Sequence, residues 1–124
     1  MVVIVAGSRT ITNAEQVAEA IRQSGFPVTE VVSGTARGVD TLGERWAATH
    51  GVPVRRFPAD WERYGRAAGA RRNVQMLEHA AAAPEGGGLV AVWDGVSRGT
   101  WHMIHVARQR GLAVHVHRVP TSRV

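Results

Sequence analysis

The chain of 124 residues has no cysteine. That excludes a disulfide framework, a thiol nucleophile, a cysteine-based zinc site and an iron–sulfur cluster. It has no lysine either, since all 15 basic residues are arginine. Neither a Schiff-base lysine nor a phosphate-loop lysine is available, so anion recognition falls to guanidinium with its bidentate geometry. Long apolar runs are also missing. The longest, Met1 to Ala6, is far short of the roughly 20 residues that cross a membrane, and no charged stretch precedes it as in a secretory signal. A cytoplasmic protein with no membrane partner is the expectation. The length suits one domain, expected over 1–120, with Thr121–Val124 as a loose tail.

What is present is unevenly placed. The net charge is +5, and the segment from Val54 to Arg72 carries most of it: Arg55, Arg56, Arg63, Arg66, Arg71 and Arg72 stand against only Asp60 and Glu62. A local basic segment points to an anionic partner, a nucleotide or a nucleic acid, although a solvated surface loop would read the same way.

Hydrophobic patterning alternates between short β-branched runs and amphipathic stretches. Strands are predicted at Val2–Ala6, Glu30–Ser33, Pro53–Phe57, Leu89–Trp93 and Ala113–His117. Helices are predicted between them. The first carries Ala14, Val17, Ala18 and Ile21 on one face, behind a capping box from Thr12 to Glu15. The second has Val39, Leu42, Trp46 and Ala47 on its face and a second possible capping box, Thr41 to Glu44. The third starts near Ala70 with Val74, Leu77 and Ala81, and the fourth spans Thr100–Arg110. Pro58 to Gly69 reads as irregular, and Gly86-Gly87-Gly88 as a loop. The order β-α-β-α-β-loop-α-β-α-β implies a Rossmann-like α/β fold: three layers, about five mainly parallel strands, helices on both faces.

In open parallel sheets ligands bind beyond the carboxyl ends of the strands. Three segments fall there: Gly7-Ser8-Arg9, Ser33 through Asp40, and Asp94 through Thr100. Each joins glycine, a hydroxyl and an arginine just before a helix, the composition of a phosphate cradle at a helix N-terminus. Glycine in such a turn can also be purely geometric, and Ser33 or Ser97 can be a plain cap. Asp40 and Asp94 would suit a ribose hydroxyl or an arginine partner. Trp61 and Tyr64 offer surfaces for base stacking or a lid. Neither G-x-G-x-x-G nor the Walker phosphate loop occurs. His102, His105, His115 and His117 follow no known ligand spacing, so no metal is expected.

These turns, in this order, resemble the SLOG superfamily. The likeness is strongest to its small stand-alone YspA/YpsA-related members. The matching stretches are VIVAGSRT (3–10), VVSGTARGVDTLGERWA (31–47), VPVRRFPADWERYGRAAGARRNVQM (52–76) and VAVWDGVSRGTWHMIHVA (90–107). The resemblance implies a nucleotide-binding domain with Gly7, Ser8, Arg9, Ser33, Gly34, Arg37, Gly38 and Asp40 at the pocket. Arg72 and Asn73 match an RN element, and Asp94, Ser97, Gly99 and Thr100 match the last turn.

Two relatives imply different chemistry. LOG phosphoribohydrolases cleave a nucleoside monophosphate with a glutamate in P-G-G-x-G-T-x-x-E. Here Met103 holds the glutamate position and the leading P-G-G is absent. A thioether cannot transfer a proton, so such hydrolysis would need Asp40, Asp60 or Asp94 instead. DprA, which binds single-stranded DNA, shares the S-G-x-A-R-G-x-D pattern of Ser33 to Asp40. The expectation is a module that binds a small nucleotide or nucleotide derivative and acts as a sensor. A nucleotide N-glycosidase and a minimal single-stranded DNA binder are the alternatives. No cofactor beyond that nucleotide is expected, and a homodimer or higher homo-oligomer is.

Overall fold

The computed structural model describes residues 1–120, so the expected tail at Thr121–Val124 lies outside the described residues. Five strands form one all-parallel sheet: β1 (Val2–Gly7), β2 (Glu30–Ser33), β3 (Val54–Arg56), β4 (Gly87–Trp93) and β5 (Ala113–Arg118). Their spatial order is β3-β2-β1-β4-β5. The direction of build-up reverses between β1 and β4, which makes the space beyond their carboxyl ends the topological switch point.

The pleat of β1 divides the core. Val3 and Val5 pack with α1 (Ala14–Ser24) and α2 (Val39–Thr49) through Val17, Ile21, Val39 and Leu42. Val2, Ile4 and Ala6 face the opposite layer, α4 (Ala68–Ala81) and α5 (Arg98–Gln109), through Met76, Leu77, Met103 and Ile104. Both faces of the central strands are covered, so they read as continuous apolar runs. The result is the expected three-layer, Rossmann-like α/β architecture.

Local details differ from expectation, each for a physical reason. The cap of α1 is Asn13, not Thr12: its Oδ1 accepts the Glu15 N–H at 2.9 Å. No capping box forms at Thr41, because α2 already begins at Val39. Thr41 lies within the first turn and donates its hydroxyl to the Ala36 carbonyl, while Glu44 bonds Ser33 and Arg56.

The segment 58–69 is not irregular. Asp60 Oδ1 accepts the Arg63 N–H and caps a single-turn helix, α3 (Trp61–Tyr64); a 3₁₀ turn at Gly65–Ala67 leads into α4. Ala68 is buried, which brings α4 in two residues before the predicted start. Gly87 and Gly88 belong to β4 rather than to a loop. A Cβ at Gly87 would run into the Ala80 carbonyl, and one at Gly88 would press on Met1 and Phe26. The strand is glycine-rich there because neighbouring chain lies against it.

Candidate functional site

A cleft of about 380 Å³ opens at the switch point. Its walls come from four places: the β1–α1 turn, the β2–α2 turn, α4, and the β4–α5 turn with the first residues of α5. Of the residues expected at the pocket, Gly7, Ser8, Arg9, Asp40, Arg72, Asn73, Asp94, Ser97, Gly99 and Thr100 line it together.

The side of the cleft at α5 is open to an anion. Ser97 occupies the N-cap position, where its side chain makes no capping bond. Its hydroxyl instead stands 3.2 Å from that of Thr100. The first N–H groups of a helix have no partner within it and carry the positive end of its dipole. Gly99 sits among them, and a Cβ built there meets nothing within 4 Å. The fold therefore does not require glycine at this position.

The opposite wall carries charge. Asp40 is buried on the first turn of α2 and accepts the Ala36 N–H at 3.1 Å. Burial pushes its pKa up to about 6, against the pull of the Ala36 N–H and the Arg72 charge. Arg72 reaches across from α4 and donates Nη1–H to the Gly34 carbonyl and Nε–H to Asn73 Oδ1. Burial lowers its pKa, and the nearby Asp40 opposes that shift. Arg9 is exposed at the mouth and has no carboxylate within 4 Å among the described residues.

Asp94 lines the cleft but its carboxylate is already engaged. Oδ1 accepts the N–H groups of Val96 and Ser97, both at 2.8 Å. The Ser97 N–H is the chief cause of a pKa below the ordinary carboxylate value. Asp94 thus shapes the turn into α5. Ser8 is buried and ties the two central turns together by accepting the Asp94 N–H at 3.1 Å.

Other expected residues lie outside the cleft. Ser33 is fully buried and donates its hydroxyl to Glu44 at 2.7 Å. Gly38 has φ +78°, and a Cβ there would stand 2.6 Å from the Ser8 and Arg9 carbonyls. Gly34 and Arg37 line an adjoining chamber together with Trp61. Tyr64 is elsewhere, its ring packed by the guanidinium groups of Arg63 at 5.2 Å and Arg71 at 4.2 Å. Thr10, Ala36 and Met76 line the cleft without having been expected. Met76 could have been found by helical spacing, since it falls one turn after Arg72 and Asn73.

A larger groove of about 670 Å³ lies between α1 and α2 and includes Glu15, Glu19, Phe26 and Trp46. Its charged walls are Glu15 and the paired Glu19 and Arg22, so it offers a phosphate no free guanidinium. Among the described residues no group of three or more His, Asp or Glu could hold a metal ion, and no helix is long and apolar enough to cross a membrane.

The chain is 31% identical over 121 residues to the Gene 61 protein of Mycobacterium phage D29, an alignment covering 90% of this chain and 92% of that one. No solved structure gives a significant match. The family model for the YspA, cpYpsA-related SLOG family matches residues 1–64, the part that supplies the β1 and β2 turns and Trp61. With its parallel sheet in the order β3-β2-β1-β4-β5 and its cleft at the switch point, the chain belongs to the YspA, cpYpsA-related SLOG family.

Proposed function

We propose that this protein binds a nucleotide or nucleotide-derived ligand in the switch-point cleft and acts as a binding or sensing module. The observation that carries this reading is the pairing of an open helix N-terminus, Ser97 to Thr100, with Arg9 and Arg72 across one cleft. A phosphate placed there meets backbone N–H groups, two hydroxyls and guanidinium. The Asp40 carboxylate, directed into the same cleft region, suits a ribose hydroxyl. Its own repulsion of phosphate is offset by Arg72.

Binding is favoured over hydrolysis by what the carboxylates already do. Asp94 is held by two N–H groups of its turn, and Asp60 caps α3 away from the cleft. Met103, at the position of the LOG glutamate, presents a thioether to the cleft wall. Asp40 is the one carboxylate of the cleft whose raised pKa suits proton transfer, and it is buried against the Ala36 N–H beside Arg72. With a thioether at the glutamate position, the site fits binding better than glycosidic cleavage.

The test is native mass spectrometry of protein purified without added ligand, followed by a thermal-shift screen of mono-, di- and cyclic nucleotides. A nucleotide-sized adduct, or a shift that is lost in Arg9→Ala, supports the reading. No adduct and no shift across the panel would overturn it. Release of free base and ribose phosphate with time would replace the sensor by a hydrolase.

A further inference from the structure

Three cavities meet at one side chain. Arg72 lines the cleft, a second chamber of about 310 Å³, and a third space of about 170 Å³. The cleft and the second chamber also share Arg9 and Ala36. The border between them is therefore a cationic ridge, with a hollow on either side.

The second chamber has its own recognition chemistry. Arg37 is exposed on one wall and has no carboxylate within 4 Å among the described residues. Trp61 stands on another wall and is 54% exposed. The Asp60 cap fixes the turn that carries it, and the edge of its ring lies near Gly69 of α4. An indole left this open contributes little to the core, whereas a flat apolar surface beside free guanidinium suits a base. Thr35, on the same chamber, has φ +66°. A β-branched residue in that region is strained, and such strain gathers at ligand sites.

We infer that the ligand is two-lobed: two nucleosides joined through a phosphate bridge, with the bridge between the Ser97–Thr100 turn and the Arg9 and Arg72 guanidinium groups, one nucleoside in the cleft beside Asp40 and the second base against Trp61. This inference rests on the nucleotide reading of the cleft and names its ligand class. A mononucleotide would leave the second chamber empty, with Trp61 unstacked and the Arg37 donors without a base edge to meet. Two-nucleoside ligands place their charge in the middle, where the ridge places its cations. A phosphodiester and a pyrophosphate bridge share this chemistry.

Isothermal titration with three probes distinguishes the possibilities: AMP, adenylyl-adenosine with its phosphodiester bridge, and diadenosine diphosphate with its pyrophosphate bridge. The guanosine counterparts are run in parallel. At least one two-nucleoside probe is expected to bind ten times more tightly than its mononucleotide. Trp61→Ala should erase that gain while leaving mononucleotide affinity within twofold, and Arg37→Ala should weaken the two-nucleoside probe by at least threefold. The bridge giving the larger gain identifies the linkage. Equal affinity for one- and two-nucleoside probes, or a gain that survives Trp61→Ala, overturns the two-lobed ligand and leaves the cleft reading standing. No binding by any probe overturns both.

Discussion

The β2–α2 and β4–α5 turns are close relatives in sequence, both built from glycine, hydroxyl and arginine, yet Ser33 and Gly38 of the first are closed into the fold while Ser97 and Gly99 of the second face open space. In the β2–α2 turn the groups serve the fold. The Ser33 hydroxyl goes to Glu44, Arg72 holds the Gly34 carbonyl, Gly38 is pressed on the Ser8 and Arg9 carbonyls, and the Val39 N–H reaches the Ser8 oxygen at 3.4 Å. In the β4–α5 turn Gly99 has empty space ahead of it, and the Ser97 and Thr100 hydroxyls face each other in the cleft. Glycine thus has two meanings at a strand–helix turn. It can admit a neighbouring backbone or it can admit a ligand, and only the space around a hypothetical Cβ tells which.

The contrast can be broken by substitution. Gly38→Ala is expected to have the largest effect on folding, because it combines a positive φ with a backbone clash. Overpacking plus strain of this kind costs about 3 kcal/mol, measurable as a lower midpoint in urea at unchanged slope.

Asp40 gives the next effect, and its sign is set by burial. Its folded pKa of about 6 lies above its ordinary 3.8, so the native state binds the proton more tightly than the unfolded chain does. Stability contributed by the protonated form is present below pH 4 and declines as pH rises through 6. Asp40→Asn should remove this decline and make the protein more stable at pH 7 by about 2 kcal/mol, seen by comparing denaturation at about pH 3.5 and about pH 7. A variant whose profile stays as steep as the parent's would contradict the assignment.

Ser33→Ala removes a buried hydroxyl and leaves Glu44 with Arg56 alone, a loss of about 1 kcal/mol. Mononucleotide affinity should not change, since Ser33 bonds Glu44 and the Thr35 N–H and does not line the cleft. Gly99→Ala is expected to have the smallest effect on stability and the sharpest on function. Alanine on the first turn of α5 stabilises by up to about 0.5 kcal/mol. Its methyl group would occupy the anion position, so the nucleotide-induced thermal shift should vanish. Retention of that shift would show that the open turn is not the phosphate seat.

How much of this was legible in the sequence depended on the range of the interaction concerned. β1 was readable to within one residue because a doubly covered strand must be apolar without interruption, and β2 to the residue because Val31 and Val32 stand just before a glycine-flanked turn. The three strand ends were readable because parallel topology puts them on one edge. Partner choices were not. Nothing local tells Asn13 from Thr12 as a cap, or reveals that Glu44 turns toward Ser33 and Arg56. The 58–69 segment looked irregular because its arginines and glycines hide a cap at Asp60 and a buried Ala68, and burial is a tertiary property. For the site, Arg9 and Thr100 were recognisable by residue type and position, and Arg72 by its match to the RN element of the family. The split of the β2–α2 turn, with Asp40 in the cleft, Gly34 and Arg37 in the next chamber and Ser33 inside the fold, required coordinates.

The sheet order has a consequence for how the molecule is made. β1 is the centre of the sheet, yet one of its two partners is β4, with Val2 paired to Gly87 and Gly7 to Val92. During synthesis the first half, through β3, can assemble against one side of β1 while its other edge stays uncovered. Pairing at such sequence distance is slow, because a long loop must close first. Completion of the central pair is therefore the late step of folding. It is also the step that assembles the cleft, since the Ser8 hydroxyl finds the Asp94 N–H only once β4 has docked.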